Sequence, residues 1–362
     1  MALGVSQLGS STAMMNAQLT SARPLKPNVA VIILNWNGRN DTLACIASVT
    51  KMTYQNFRVI VVDNGSFDDS VVAIRSAFPH VEIIETGKNL GFAGGNNVGI
   101  MHALDLMADY VLLLNNDTEV DHGMLDAFVA AAEHYPDAGV FSGKIYLHSD
   151  PQRIWYAGAI WNSRAARFQL IGEGALDDNE AYSQICETAY ACGCAFFIPA
   201  ARLRELGLLD EDFFLYFEET DWCFRARAAG HSSIFVPDAR LWHKVSVSFG
   251  GEGSPLALYF ITRNRLLWAR RHAAPGTRIR VYQSTLWSLL HRLGAPVVEA
   301  IRRHPGRIKA WWWAAREAFA DPCTCAIYLG LRDFWLGRFG DCPPAVRKLV
   351  VRARPYPSQV KT

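Results

Sequence analysis

Four short stretches of this 362-residue chain contain residue types that could do chemistry. The first, "NNDT" (115–118), follows an apolar run and presents the carboxylate of Asp117 among amide and hydroxyl neighbours. One carboxylate, completed by phosphate oxygens of a substrate, is a usual way to hold Mg²⁺ or Mn²⁺, because these ions keep waters and take few protein ligands. The same residues could instead form an Asx-turn that bonds its own backbone. Asp117 is thus a candidate metal ligand, with a turn as the alternative.

The second stretch, "FEETDW" (217–222), places three carboxylates within four residues: Glu218, Glu219 and Asp221. Carboxylates this close raise one another's pKa, which suits a general base. The alternative is an acid-rich start of a helix, favoured by the helix dipole, in which Asp221 pairs with Arg225 one turn later. Both interpretations stay open on these residues alone.

The third stretch, "LWHK" (241–244), offers His243 as a further metal ligand and Lys244 as a partner for phosphate. A single histidine is more often an ordinary surface or core residue, so this stretch carries weight only in combination with the others. The acidic "VVDNGS" (61–66) is a fourth candidate. Asp63 could accept hydrogen bonds from a pyrimidine base or from ribose hydroxyls, and Gly65 would let the backbone turn.

The elements that carry these residues alternate between strands and helices. Apolar, β-branched runs occur at 29–38, 57–70, 81–86 and 109–118, with helical patterns at about 42–50, 70–77 and 95–107 between them. This alternation predicts an α/β fold with a Rossmann-like, mostly parallel sheet flanked by helices. Ligands bind at the carboxyl ends of the strands in such sheets. We therefore expect the chemistry at residues 35–38, 63–66 and 115–118.

A glycine-dense stretch, "NLGFAGGNNVG" (89–99), lies between the third and fourth of these strands. It fails as a dinucleotide-binding fingerprint because it does not follow the first strand, and no acid follows at the expected distance. That failure argues against a Rossmann oxidoreductase. We interpret the stretch as a loop that could bring backbone N–H groups to a diphosphate.

The rest of the chain divides into an extension and a helical region. Residues 151–199 predict strands of a mixed extension, 210–230 a segment whose second half is a helix ending at Gly230, and 232–244 a strand with a loop. Beyond about residue 272 the sequence is rich in Arg, Trp and Leu and predicts helices. The proposed division is an arm over 1–28, a catalytic domain over 29–272 with halves at 29–120 and 121–272, and a helical region over 273–362.

The composition limits the class of protein. Half of the residues are hydrophobic and 19% are charged, as in a globular protein with a large core, and the net charge of +2 gives no field that points to nucleic acid. The sequence contains no run of about 18 apolar residues, so it predicts no transmembrane helix. Residues 1–28 lack the features of a secretory signal, so we expect a disordered arm and a cytoplasmic protein.

The ordered set of motifs resembles the inverting nucleotide-sugar glycosyltransferases of family two, with the A-type fold. The motifs are "VIILNWNG", "VIVVDNGSFDDS", "NLGFAGGNNVG", "LLLNNDT", "LDEDFFLYFEETDWCFRARAAG" and "WHKVSVSFGG" with the helix that follows it. Among these enzymes the chain is most similar to the bacterial branch of rhamnosyltransferases. The resemblance extends over about residues 29–272.

The resemblance implies a role for each matching residue. Asp63 would contact the nucleotide base, Asp117 would be the metal-binding carboxylate of the D-x-D element, and Glu219 would be the catalytic base, with Glu218 and Asp221 beside it. His243 would help to hold the metal, Mg²⁺ or Mn²⁺. The expected donor-binding residues are Asn35, Asn37, Asp63, Gly65, Asn89, Gly91, Asn96, Asn97, Asn116 and Lys244.

Three positions depart from the family pattern. "NNDT" keeps one carboxylate where the fuller motif has two or three. Glu219 replaces the more usual Asp, and Asn96 stands where many relatives carry a basic residue. Because the D-x-D element keeps a single carboxylate, an alternative is a catalytically weak or inactive relative that binds nucleotide sugar or glycan as an assembly partner.

By this resemblance the chain would transfer a sugar, L-rhamnose from dTDP-L-rhamnose in our prediction, to a glycan or lipid-linked acceptor of a cell-surface polysaccharide. The helical region could bring the enzyme to the cytoplasmic face of the inner membrane, since tryptophans among cations fit an interfacial helix on anionic lipid. The alternative is a docked extension with the tryptophans in its core. The residues concerned are Trp311, Trp312 and Trp313 among Arg302, Arg303, Arg307, Lys309 and Arg316.

Overall fold

The computed structural model describes residues 26–177, 180–245 and 253–353, so the predicted arm over 1–28 lies almost wholly outside the described residues. The strands in these ranges are β1 (Val29–Asn35), β2 (Phe57–Asp63), β3 (Glu82–Glu85), β4 (Tyr110–Asn115), β5 (Thr118–Val120), β6 (Val140–Leu147), β7 (Asp150–Tyr156), β8 (Ala159–Asn162), β9 (Arg167–Leu170), β10 (Cys186–Thr188), β11 (Ala195–Pro199) and β12 (Ser233–His243). The helices are α1 (Arg39–Val49), α2 (Ser70–Ala77), α3 (Gly91–Asp105), α4 (Met124–His134), α5 (Ala200–Leu206), α6 (Glu218–Ala228), α7 (Pro255–His272), α8 (Pro275–Arg303), α9 (Ile308–Ala320), α10 (Pro322–Trp335) and α11 (Pro344–Arg352).

Four parallel strands form one half of the main sheet, in the order β3-β2-β1-β4. Their residues are apolar and mostly β-branched, and residues 29–33 of β1 are completely buried, as expected for a sheet covered on both faces. Asn35 of β1 lies beside Asp63 of β2, and Leu34 lies beside Asn115 of β4. The polar ends of three strands therefore meet at one edge. The predicted α/β fold with a largely parallel sheet is confirmed.

Antiparallel pairing extends the sheet beyond β4. β11 runs antiparallel to β4 and to β6, whereas β12 runs parallel to β6 and antiparallel to β10. The short strand β5 pairs with the end of β12 and brings Thr118 beside His243. A separate hairpin of β8 and β9 pairs Ala159 with Leu170. This mixed extension agrees with the one expected from residues 151–199.

The glycine-dense stretch over 89–99 is mostly helix, and the prediction of a loop there is wrong. α3 begins at Gly91, whose φ of 75° lies in the left-handed region that favours glycine. A Cβ on Gly95 would come within 2.5 Å of Leu34 Cδ1, and one on Gly99 within 2.6 Å of Ile32 Cγ2. These two glycines therefore allow α3 to pack closely on β1.

The C-terminal helices differ in how they join the body. α7, α10 and α11 pack together, and Trp268 of α7 lies in an aromatic core that includes Phe334 of α10. α7 ends at His272 and α8 begins at Pro275, and the domain boundary predicted at residue 272 stays a prediction. Across the three described ranges, no helix is both long and apolar enough to cross a bilayer.

Candidate active site

A cavity of about 350 Å³ lies at the carboxyl ends of β1 and β4. Asp117, which follows β4, and His243, at the end of β12, both line it, and so do Glu218 and Glu219 at the start of α6. Aromatic side chains form much of the remaining wall: Trp36, Phe92, Trp155, Tyr156, Tyr190, Phe214 and Tyr216. The candidate metal ligands and the candidate base, taken from distant stretches of sequence, thus share one space.

Asp117 and His243 form a buried pair at this cavity. Nε2 of His243 lies 3.1 Å from Oδ1 of Asp117, and both side chains are at most one-tenth exposed. The pairing of β5 with β12 brings the two residues together, and the backbone N–H of Lys244 donates to the Asp117 carbonyl at 3.0 Å. The ring of Trp155 packs against the imidazole, with 4.9 Å between the two ring centroids.

This pair fits a divalent cation such as Mg²⁺ or Mn²⁺. A carboxylate oxygen and an imidazole nitrogen are adjacent at the cavity wall, and Nδ1 of His243 is buried without a hydrogen-bond partner among the described residues. The part of the chain that the structure describes holds no group of three or more potential His, Cys, Asp or Glu ligands. Two protein ligands suit an ion that keeps waters and takes phosphate oxygens from its substrate.

Glu218 and Glu219 open α6 and enter the cavity together. Burial, and next the charge of Glu219, raise the pKa of the Glu218 carboxyl well above its ordinary value. Burial also raises the pKa of Glu219, to about 7, although backbone N–H groups at the start of the helix oppose the shift. Oε2 of Glu219 is buried and receives no hydrogen bond within the described structure. Its pKa and its unengaged oxygen suit a general base near neutral pH.

Asp221 does not lie in the cavity, in contrast to its predicted place beside the base. Burial alone would raise the pKa of its carboxyl, but a hydrogen bond from His272 at 2.7 Å and the ion pair with Arg225 at 2.9 Å lower the pKa below its ordinary value. Arg271 adds a contact at 3.4 Å. The i,i+4 pair that the sequence offered as the alternative is therefore present. Asp221 ties α6 to the end of α7.

The segment that leads into α6 has an unusual backbone. Phe214, Tyr216 and Phe217 have φ values of 63°, 66° and 75°, in the left-handed region that costs a bulky residue energy. Phe214 and Tyr216 line the cavity directly before the two glutamates. A conformation of this kind persists only where surrounding contacts hold it.

Two buried side chains of α7 supply those contacts, and sequence reasoning missed both. Nδ2 of Asn264 donates to the carbonyls of residues 213, 215 and 216 at 2.7 to 2.8 Å. Arg263 donates to the carbonyls of residues 212 and 213, at 3.2 and 3.1 Å, and to that of Gly340. Both side chains are completely buried. The only signal in the sequence was a polar "TRN" inside an otherwise apolar helical stretch.

The predicted donor-binding residues on β1 and β2 form a network behind the cavity. Nδ2 of Asn35 donates to Asp63 at 2.8 Å, and the backbone N–H of Ser66 donates to the other Asp63 oxygen at 3.0 Å. Asn37 accepts from the N–H of Phe67. None of Asn35, Asn37 and Asp63 lines the cavity, and the base contact predicted for Asp63 stays a prediction. Gly65, at a φ of 75°, turns the chain tightly against the backbone of residue 88.

The other predicted donor-binding residues separate into two groups. Asn89, Gly91 and Asn116 line the cavity, and Nδ2 of Asn116 donates to Thr42 of α1. The remaining three do not line it and have structural partners. Asn96 donates to the carbonyl of Phe92, Asn97 bonds the backbone of Leu209 in both directions, and Lys244 pairs with Asp41 at 2.9 Å.

Residues 30–192 match the family model described as Glycosyl transferase family 2. This part of the chain is a family 2 glycosyltransferase domain. This glycosyltransferase is 25% identical over 229 residues to the N-acetylglucosaminyl-diphospho-decaprenol L-rhamnosyltransferase of Mycobacterium tuberculosis, covering 57% of the chain and 72% of that protein. It is 22% identical over 279 residues to the dTDP-rhamnosyl transferase RfbF of Shigella flexneri, and that match covers 74% of the chain and 88% of RfbF.

Solved structures agree on the fold of this glycosyltransferase. The mannosyltransferase of Pyrobaculum calidifontis, in complex with GDP-Man and Mn²⁺, superimposes with a TM-score of 0.52 at 16% identity, over 87% of this chain and 89% of that one. The structure of GalNAc-T7 with UDP, GalNAc and Mn²⁺ superimposes with a TM-score of 0.55 at 15% identity. The match covers 86% of this chain and 57% of that one. At these identities the likeness is evidence of the fold alone. The predicted A-type glycosyltransferase fold is confirmed.

Proposed function

We propose that this glycosyltransferase is a metal-dependent, inverting enzyme that moves a sugar from a nucleotide diphosphate donor to a cell-surface glycan or its lipid-linked precursor. The observation that carries the proposal is the shared cavity: the Asp117–His243 pair and the Glu219 carboxylate both face it. Transfer needs a group that binds the leaving diphosphate and a group that takes a proton from the acceptor. This cavity offers both.

Each residue has a distinct task in this mechanism. Asp117 and His243 would hold Mg²⁺ or Mn²⁺ against the donor diphosphate, where the ion would neutralise the charge that develops on the leaving group. Glu219 accepts the proton of the acceptor hydroxyl while the oxygen of that hydroxyl bonds to the anomeric carbon of the donor sugar. The bond from that carbon to the diphosphate oxygen breaks and leaves its electron pair there. One displacement from the opposite face inverts the anomeric configuration.

The relatives support a specific donor and acceptor. Two of the curated relatives, from Mycobacterium tuberculosis and Shigella flexneri, carry rhamnosyl transfer in their names, and one of them names a diphospho-decaprenol. L-Rhamnose from dTDP-L-rhamnose and a polyprenyl diphosphate-linked glycan are therefore our proposed substrates. Such an acceptor would place the reaction at the cytoplasmic face of the inner membrane.

The test combines donor binding with transfer. In the presence of Mn²⁺, dTDP-, UDP- and GDP-sugars are screened for their ability to raise the Tm of the protein. A ligand that binds only the folded state raises Tm. The protecting donor is then assayed with lipid-linked acceptors, and the product anomer is identified by NMR. We expect protection by dTDP-rhamnose and an inverted product. Retained anomeric configuration, or transfer unaffected by a chelator, would refute the mechanism.

The alternative is a relative that binds a nucleotide sugar without turning it over. The single carboxylate of "NNDT" and the small set of metal-ligating side chains among the described residues favour it. Metal-dependent donor binding with neither transfer nor donor hydrolysis, over every acceptor tried, would support this alternative.

A further inference from the structure

Helices α8 and α9 form a hairpin that projects from the body of the protein. In α8 the buried side chains are Val281, Thr285 and Leu289, all in its first half. From residue 290 to the end of α9 only Ala318 is buried. The two helices pack on each other. We call residues 290–320 the projecting hairpin.

The projecting hairpin exposes large apolar side chains that a water-facing helix would not need. On α9, Ile308, Trp312 and Phe319 recur at helical spacing, so they share one face, and each is at least 58% exposed. On α8, Leu290 and Ile301 continue a stripe that begins nearer the body at Ile279 and Leu286, and these are 42–55% exposed. Exposed apolar surface on this scale marks an interaction site.

The same hairpin is basic. It carries six Lys and Arg residues against two Glu, and all six cations are exposed. Arg316 lies over the rings of Trp312 and Trp313, at 5.7 and 5.2 Å from the guanidinium carbon to the ring centroids. The cations are Arg292, Arg302, Arg303, Arg307, Lys309 and Arg316. The chain as a whole has a net charge of only +2, so positive charge is concentrated here.

The docked helices beside it provide the contrast. Trp268 of α7 is 2% exposed and sits in the aromatic core with Phe334 of α10. Trp312 and Trp313 have no such place, being 58% and 53% exposed. The alternative left open by the sequence, that these tryptophans form the core of a docked extension, is therefore wrong for these two. Tryptophan with exposed aliphatic residues and cations is the composition of a helix that lies in the interface of an anionic bilayer.

We infer that the projecting hairpin docks the enzyme on an anionic phospholipid surface, with its apolar stripe in the headgroup region and its cations on lipid phosphates. The role of this docking, which is to bring the cavity to a lipid-linked acceptor, rests on the proposed function. The binding to the lipid surface itself does not. Charge complementarity favours a bilayer over a second copy of this chain, because two such basic hairpins would repel each other.

Co-sedimentation of the full chain with vesicles tests the inference. The vesicles are pure phosphatidylcholine or a mixture with phosphatidylglycerol, without donor or acceptor, at about 0.1 and 0.5 M salt. We expect binding to the anionic vesicles that falls at high salt, since each cation near the surface contributes about fivefold at low salt. Binding should fall at least tenfold in Trp312→Ser/Phe319→Ser and in Arg302→Gln/Arg303→Gln/Arg307→Gln.

The controls separate this inference from others. Val72→Ser removes an equally exposed apolar side chain on α2 and should bind as the wild type does. Equal binding by all variants, or a dimer whose mass is lost in Trp312→Ser/Phe319→Ser without any vesicle binding, would overturn the inference. Transfer to a water-soluble acceptor should be unchanged in the hairpin variants, so a failure of the proposed function would appear there and not in the vesicle assay.

Discussion

Nε2 of His243 lies 3.1 Å from Oδ1 of Asp117, at the point where the end of β12 pairs with β5. Strand pairing, rather than a local loop, therefore sets the distance between the two candidate metal ligands. Glu218 and Glu219, at the start of α6, line the same cavity.

His243→Ala should weaken metal binding rather than abolish the fold. We expect the Mn²⁺ concentration for half-maximal activity to rise at least about 10-fold, because loss of a residue that only supports a metal ligand already costs about 10- to 100-fold. Activity titrated against Mn²⁺ at saturating donor measures it. His148→Ala, which removes a half-exposed histidine that contacts Glu119, is the matched control. An unchanged Mn²⁺ requirement would remove His243 from the metal site.

The pH profile of kcat/KM should report the Glu219 carboxyl. Burial raises its pKa to about 7, and a base must be deprotonated to act. The logarithm of kcat/KM should therefore rise with a slope near one up to about pH 7 and level off above it. Glu133→Gln, an exposed substitution on α4, should leave the profile unchanged. A profile flat between pH 5.5 and 8 would contradict the assignment.

Glu218→Gln should stabilise the protein at alkaline pH. Because the pKa of Glu218 is raised on folding, the folded state holds a proton that the unfolded state releases above its ordinary value of 4.5, so stability falls as pH rises beyond that value. Glutamine does not titrate. The difference in Tm between the variant and the wild type should therefore grow in favour of the variant from pH 5 to pH 8, as measured by thermal unfolding at each pH. A constant difference across pH would refute the raised pKa.

Asn264→Leu should impair turnover although the residue lies outside the cavity. The change removes the Asn264 hydrogen bonds to the carbonyls of residues 213, 215 and 216. The first carbonyl keeps its bond from Arg263, whereas the other two lose the side chain that donates to them, at about 1–3 kcal/mol for each unsatisfied group. We expect kcat to fall at least tenfold with little change in the donor KM, because the Asp117–His243 pair is untouched.

Asn56→Leu removes a single exposed side-chain bond to the carbonyl of Lys26 and is the control for this position. It should leave kcat unaltered. If folded Asn264→Leu keeps the wild-type kcat and shows only a lowered Tm, catalysis does not depend on the hydrogen bonds from Asn264 to residues 213, 215 and 216.

The sequence predicted the parallel half of the sheet and the edge where Asp117 lies, because both follow from short-range patterns. Apolar β-branched runs mark buried strands, and parallel strands must bring their carboxyl ends together. Asn35 and Asp63 were correctly expected to meet at that edge. The side-chain hydrogen bond between them, however, was not foreseen from a pattern that records only where polar residues occur.

The errors share one cause, which is contact between residues distant in sequence. Asn97 bonds Leu209, and Asp221 bonds His272, so both are structural in ways no local motif displays. Gly95 and Gly99 serve the packing of α3 on β1 rather than a phosphate. The exposure of Trp312 and Trp313 likewise depends on which helices dock, and the sequence left that open.

The most direct test of the account separates donor binding from proton transfer in two variants. Calorimetric titration of dTDP-rhamnose with Mn²⁺, followed by single-turnover transfer, is applied to Asp117→Asn and Glu219→Gln, with Asp105→Asn as the exposed control. We expect Asp117→Asn to lose Mn²⁺-dependent binding, whereas Glu219→Gln should bind the donor normally and lose about 10²- to 10⁴-fold in transfer rate. Full transfer activity in both variants, or loss of donor binding in Glu219→Gln alone, would contradict the account.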